Sequence, residues 1–164
     1  MVKRLPLVRG KCHHVDCAVR SDGSTPAGDF LDALRSSSWD SGESADERID
    51  DYSWFLNAIR HWANTGEPVY RGAVKALNDG MWEFRHGDKR LTFYDTNGRG
   101  GYTAKRPIHD RADADAPDSA YWQIPNFDLL VRVGHAFTKR SQKTPASDLA
   151  AAAVVRQEDL SHDR

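Results

Sequence analysis

Hydrophobic positions in the first half of the chain predict one strand and two helices. A strand is expected over residues 11–19, and Thr25-Pro26 is typical of a helix start, with threonine as N-cap and proline in the first turn. A second helix is expected from a capping box at Ser44 to a stop at Gly66. Its apolar stripe consists of Ile49, Tyr52, Leu56, Ile59 and Ala63. Residues 70–77 suggest a shorter helical piece.

The second half alternates between apolar and polar positions, which is typical of strands. Strands over residues 81–86 and 90–94 are expected to form a hairpin around a tight turn. A buried strand is expected over residues 129–137, followed by a helix that begins at Thr144-Pro145. One face of that strand is expected to carry Val131, Val133, His135 and Phe137. The chain therefore predicts one α+β domain over residues 1–164, with a small antiparallel or mixed sheet, two N-terminal helices and a C-terminal helix.

Alternation in the hairpin separates its apolar side chains from its cations. The apolar face carries Trp82, Phe84, Leu91 and Phe93. If these side chains share one face of the sheet, Arg85, Arg90 and Tyr94 emerge together on the other, open face. A guanidinium stays protonated and matches the geometry of phosphate oxygens, so this face is a candidate phosphate-binding surface. The alternative is that these strand arginines pair with a neighbour such as Glu83.

A long polar stretch, residues 96–126, separates the hairpin from the last strand. It has the character of an insertion or flap, with a short strand expected near Tyr121–Ile124. Residues 110–118 are acidic, whereas residues 82–112 are rich in arginine and lysine. The net charge of −1 hides this contrast, so a nucleic-acid role would depend on local patches. The acidic segment could shield the cationic face as a mimic of phosphate.

The two cysteines lie close together, in the segment Cys12-His-His-Val-Asp-Cys17. A metal site is one interpretation, but in a strand these side chains alternate between faces and four ligands could not converge. We therefore expect no metal, no cofactor and no disulfide. We also find no signal peptide and no apolar run near the ~20 residues that span a membrane, so a cytoplasmic protein is expected.

Two motifs resemble the phage-derived, HigB-like branch of the RelE/ParE toxin superfamily. The first motif is filled by Lys75, Leu77, Asp79-Gly80, Trp82-Glu-Phe-Arg85 and Arg90-Leu-Thr-Phe-Tyr94. The second is the run Phe137-Thr-Lys-Arg-Ser-Gln-Lys-Thr-Pro145. The two occur in the family's order and together extend over about residues 26–160. The chain is longer and more acidic than typical members.

The resemblance implies a RelE-like fold and the toxin of a type II toxin–antitoxin system. Such proteins cleave messenger RNA without a metal, often on the ribosome, and a helix-turn-helix antitoxin silences them. The implied catalytic cations are Arg85 and Arg90, since the family places functional basic residues at these strand positions. Beside them, Tyr94 is a candidate to stack on a base or support the leaving group, and His86 and His135 are the candidate general bases, although apolar neighbours mark His135 as a core residue. The implied RNA-binding residues are Lys75, Lys139, Arg140 and Lys143. Two alternatives stay open: a gyrase inhibitor of the ParE type, and an inactive phage-derived protein that only binds a partner.

Overall fold

The structure, a computed structural model, describes residues 2–36, 38–39 and 45–164, with the side chains of residues 45–49 left out. These residues form an α+β fold of six β-strands and three α-helices. The strands are β1 (Pro6–Arg9), β2 (His14–Cys17), β3 (Val74–Ala76), β4 (Trp82–His86), β5 (Lys89–Thr96) and β6 (Leu130–Thr138). The helices are α1 (Pro26–Arg35), α2 (Ala45–Thr65) and α3 (Ala146–Ser161). The predicted capping residue Ser44 lies outside the described residues.

The strands form one mixed sheet in the order β1-β2-β6-β5-β4-β3. Neighbouring strands are antiparallel except β2 and β6, which are parallel. This confirms the expected α+β class and the predicted β4–β5 hairpin. The helical piece expected over residues 70–77 is wrong, because Val74–Ala76 pairs with β4 as an edge strand. Gly72, with a φ of +90°, also breaks any helix there.

The helices cover opposite faces of the sheet. Helices α1 and α2 pack their apolar faces on the side of the sheet that carries the aromatic residues of the hairpin. That core contains Phe30, Leu34, Phe55, Ile59, Trp62, Phe84, Leu91 and Phe93. Helix α3 covers the central strands from the other side, where Val155 and Leu160 pack with Tyr94. The end of the hairpin near its turn extends beyond α3 on this second face.

A bulge in β6 changes which side chains face the core. Leu91 pairs with Ala136 but Phe93 pairs with Val133, so β6 has one residue more than β5 between the two pairs. Beyond the bulge, Phe137 stands opposite Arg90 and leaves the core face. The single face predicted for Val131, Val133, His135 and Phe137 is therefore wrong, because the extra residue shifts the alternation.

The long connection between β5 and β6 spans residues 97–129, which we call the inserted loop. Phe127 anchors this loop in the core, with its ring 5.4 Å from Trp62 and 5.5 Å from Phe93 between centroids. The strand expected near residues 121–124 is absent from the described structure, which places turns there. The backbone N–H of Ile124 donates to the carbonyl of Tyr121, which closes the chain on itself. Across the described residues, no helix has the length and apolar character needed to span a membrane.

Candidate nucleic-acid interface

Arg85 and Arg90 lie directly opposite each other in the β4–β5 hairpin, as the alternation predicts. Their side chains share the face of the sheet that α1 and α2 do not cover. Glu83 lies between them, with its Oε1 atom 3.9 Å from Nε of Arg85 and 3.8 Å from Nε of Arg90. Both separations exceed hydrogen-bonding distance, so the carboxylate balances charge without fixing either guanidinium.

Two lysines complete this group of cations. Lys75 is the cross-strand neighbour of Glu83 on β3, and its side chain is exposed. Lys139 follows β6, and its backbone N–H donates to the carbonyl of Asp88 in the hairpin turn at 2.6 Å. The charges of both lysines act on Glu83. We call Lys75, Arg85, Arg90 and Lys139, with Glu83 at their centre, the cationic cluster.

Burial and crowding shift the pKa values inside the cluster. Burial raises the pKa of Glu83 above 4.5, although all four surrounding cations oppose the shift. Burial also lowers the pKa of Lys139 below 10.5, and repulsion from Arg90, Arg85 and Lys75 adds to this effect, while Glu83 opposes it. The cluster therefore holds a carboxylate that takes up a proton more readily than usual and an ammonium that releases one more readily.

The exposures of the two arginines differ from the sequence expectation. Arg85 keeps 27% of its side chain exposed, whereas Arg90 keeps only 8%. The expectation that Arg90 points freely to water is wrong, because its Nη1 donates to the carbonyls of Gly87 and Lys89 at 2.7 and 2.9 Å. These bonds hold its guanidinium against the hairpin turn. Within the described residues the Arg85 guanidinium makes no hydrogen bond and is the outer group of the pair.

His86 does not join the cluster as the sequence suggests. It lies two residues after Phe84, so its side chain faces α2 on the other side of the sheet. Its ring stacks on Trp54 at 4.2 Å between centroids, and its Nε2 lies 3.1 Å from Oδ1 of Asp51. These contacts hold His86 against α2, but its side chain is 32% exposed and lines a depression together with Arg85 and Arg90.

Tyr94 lies on the same face of the sheet as Arg85 and Arg90, but α3 covers it. It is 1% exposed, and its hydroxyl donates to Oδ2 of Asp159 at 2.7 Å. Burial and the carboxylate of Asp159 raise its pKa well above 10. Arg132 and Arg4 bind the same carboxylate. Tyr94 is therefore part of a buried network, and the expected contact with RNA is wrong.

The remaining predicted residues lie around the β6–α3 connection. Arg140 and Lys143 are exposed, and Lys143 lines a cleft of about 390 Å³ with Leu77 and Leu149. His135 lies beside the cluster, but its ring already has a polar partner, since its Nε2 lies 2.9 Å from Oδ1 of Asp148. Its ring stacks on Phe137. As the sequence suggested, His135 is a structural residue with a polar partner.

Glu83 is a residue of the site whose central position the sequence did not predict. The sequence indicated Glu83 only as a possible ion-pair partner of Arg85. In the structure it lies at the centre of four cations and is 2% exposed. Its Oε2 makes no hydrogen bond in the described structure. The alternation that places Glu83 and Arg85 on one face could have revealed its position, but not its burial.

The acidic segment and the cysteines lie outside the cationic cluster as defined above. None of the charges that shift the pKa of Glu83, Arg90 or Lys139 belongs to residues 110–118. Cys12 is exposed and Cys17 is buried, and both are free thiols. Among the described residues, no group of three or more histidine, cysteine, aspartate or glutamate side chains could hold a metal ion.

The cationic cluster thus brings four cations and one buried carboxylate together on one face of the sheet. No family model matches the sequence, and no curated protein is significantly similar to it.

Proposed function

We propose that this chain is an endoribonuclease of the HigB-like branch of the RelE/ParE superfamily, with a RelE-like fold, and the toxin of a type II toxin–antitoxin system. The observation that carries the proposal is the convergence of four cations on Glu83 near the turn of the hairpin. An excess of fixed cations favours a phosphate, and Arg85 is placed to contact it first. The proposed substrate is messenger RNA on the ribosome, and the proposed place of action is the cytoplasm.

RNA can be cleaved by its own 2′-hydroxyl, which attacks the adjacent phosphorus. In the proposed reaction, Glu83 accepts the 2′-hydroxyl proton while the new 2′-O–P bond forms. Lys139 donates a proton to the 5′-oxygen as the P–O5′ bond breaks. The products are a 2′,3′-cyclic phosphate and a 5′-hydroxyl, and no oxidant or co-reactant is needed. Arg85 and Arg90 stabilise the charge that develops on the phosphate oxygens.

The burial of Glu83 gives Arg85 a second role. The Arg85 guanidinium makes no hydrogen bond within the described residues, and its Nε lies 3.9 Å from Oε1 of Glu83. When its guanidinium turns toward a phosphate, it exposes Glu83 to the neighbouring ribose. Lys75 and Lys143, both exposed, bind the flanking phosphates in this proposal. Arg140, which follows Lys139 and is also exposed, belongs to the same surface.

Overexpression of the full chain tests the proposal in cells. We expect growth to stop and transcripts to be cut, and we expect the double variant Arg85→Ala, Arg90→Ala to relieve both effects. Coexpression of a helix-turn-helix protein encoded beside the gene should restore growth and copurify with the chain. Growth arrest with intact transcripts would contradict the proposal that the chain cleaves RNA.

The burial of Glu83 and Arg90 favours one second candidate, a protein of the same superfamily that binds a partner without cutting RNA. Glu83 is buried and the guanidinium of Arg90 is hydrogen-bonded to the hairpin turn, and both features suit a structural ion pair as well as a catalytic one. A gyrase inhibitor would then induce a DNA-damage response with intact transcripts. An inactive phage-derived protein would bind its antitoxin and leave growth unchanged.

A further inference from the structure

Two neighbouring depressions connect the cationic cluster with the inserted loop. The first, of about 250 Å³, is lined by Tyr70, Arg71, Arg85, His86 and Arg90. The second, of about 280 Å³, is lined by Arg71, Arg111, Tyr121, Trp122 and Gln123. Both depressions include Arg71 and Gly72, so they meet at this turn.

The second depression combines the groups that bind single-stranded nucleic acid. Arg71 and Arg111 are exposed, and neither makes an ion pair within the described part of the chain. The guanidinium carbon of Arg111 lies 5.4 Å from the centroid of the Trp122 ring. The indole is partly exposed, and its N–H makes no hydrogen bond among the described residues. Aromatic rings beside arginines bind bases by stacking and phosphates by charge.

Arg111 lies within the acidic segment, among Asp110, Asp113, Asp115 and Asp118, but in the described part of the chain none of these carboxylates is within ion-pair distance of Arg71 or Arg111. Asp110 accepts the backbone N–H of Ala112 through Oδ1, and Glu67 accepts the hydroxyl of Ser119 at 3.0 Å. The volume of the depression is near the lower limit for a small-molecule site, which suits one nucleotide. The turn that joins the two depressions is open, since a side chain at Gly72 would meet no atom within 4 Å.

We propose that the inserted loop forms a second nucleotide subsite, in which Trp122 stacks on a base and Arg71 and Arg111 hold the adjoining phosphates. Single-stranded RNA then runs from the cationic cluster past Arg71 into the loop. This inference rests on the proposed function and identifies its substrate as an extended single strand. It also gives the inserted loop a role in binding.

Binding of RNA by the full chain tests the subsite. The probes are fluorescein-labelled, 2′-O-methylated single strands of about three and about ten nucleotides, compared by anisotropy at one salt concentration. We expect Trp122→Leu and Arg71→Ala each to weaken binding of the longer strand about 5- to 100-fold, the range for loss of one stacked base. Binding of the shorter strand should stay unchanged in Trp122→Leu, because Trp122 lines only the second depression, whereas Arg71 lines both. RNA should also quench tryptophan fluorescence less in Trp122→Leu.

Arg99→Ala is the matched control, because it removes an exposed arginine of the same loop that lines neither depression. It should change the affinity for the longer strand by less than about twofold. The inference is overturned if Trp122→Leu and Arg71→Ala, folded by circular dichroism, bind the longer strand as the wild type does. If Arg85→Ala also binds both strands like the wild type, or the wild type binds neither, the proposed function fails as well.

Discussion

Arg85 and Arg90 face each other across the β4–β5 hairpin, and their Nε atoms lie 3.9 and 3.8 Å from the same oxygen of Glu83. The two guanidiniums share one counter-ion but have different anchors. Arg90 is bound to carbonyls of the hairpin turn, whereas Arg85 has no hydrogen bond among the described residues. This asymmetry separates a hydrogen-bonded cation from one without a hydrogen bond among the described residues, and the two should respond differently to substitution.

Arg85→Ala should reduce RNA cleavage about 100-fold or more while leaving the melting temperature nearly unchanged. Arg90→Ala should reduce cleavage and also destabilise the fold by about 3 kcal/mol, because it removes a buried partner of Glu83. Single-turnover cleavage and urea unfolding measure the two effects. Arg60→Ala, an exposed arginine on α2, is the control and should change neither. Equal destabilisation by Arg85→Ala and Arg90→Ala would contradict the asymmetry.

The pH dependence of cleavage should follow Glu83 and Lys139. The rate should rise as Glu83 loses its proton, with an inflection above pH 4.5, because burial raises its pKa. The rate should fall again as Lys139 loses its proton, at a pH below 10.5. The rate measured from pH 4 to pH 10 should therefore be bell-shaped. In Lys139→Arg the alkaline limb should move to higher pH; an unchanged limb would exclude Lys139 as the acid.

Glu83→Gln should abolish cleavage yet bind RNA more tightly, because it removes the only carboxylate of the cluster. It should also change how stability depends on pH. A raised folded-state pKa adds stability below the unfolded value and loses it as pH rises through the folded value. The free energy of unfolding of the wild type should therefore decrease, relative to Glu83→Gln, as pH rises from 4 to 8. A constant difference between the two proteins would contradict the raised pKa.

Tyr94→Phe tests whether Tyr94 belongs to the buried network and not to the site. Loss of its hydrogen bond to Asp159 should destabilise the fold by about 2 kcal/mol, since the bond is buried and its acceptor is charged. Cleavage at a temperature where the variant is folded should equal that of the wild type. Tyr70→Phe, which alters an exposed tyrosine, should leave stability unchanged. A cleavage defect in folded Tyr94→Phe would return Tyr94 to the site.

Phe127 should stabilise the inserted loop by anchoring it in the core. Phe127→Ala removes a ring that packs against Trp62, Trp82 and Phe93, and it should cost about 3 kcal/mol. Leu129→Ala, two residues later and 51% exposed, should cost less than about 0.5 kcal/mol. Urea unfolding of both variants gives the comparison. Equal costs would show that the loop is not anchored through Phe127.

Period-two alternation explains why the central geometry could be predicted. The hairpin register follows from burying Trp82, Phe84, Leu91 and Phe93 on one face, and it forces Arg85 and Arg90 together on the other. The same alternation also places His86 with Phe84, facing α2, although its imidazole had made it a candidate general base.

Long-range contacts explain most of what the sequence did not predict. Tyr94 is buried by Asp159, which lies 65 positions later in the chain, and no local pattern reports that contact. The bulge in β6 depends on the pairing with β5. The edge strand Val74–Ala76 forms because β4 supplies hydrogen-bond partners to a segment without strong strand propensity of its own.

The most direct test is to cleave a defined single-stranded RNA with the purified chain in EDTA and to identify the new ends by mass spectrometry. We expect a 2′,3′-cyclic phosphate and a 5′-hydroxyl, no cut at a 2′-deoxy substitution of the attacked position, and no product from Arg85→Ala. If the wild-type chain binds this RNA but leaves it intact, both free and on ribosomes, the cationic cluster is not the catalytic site of a nuclease.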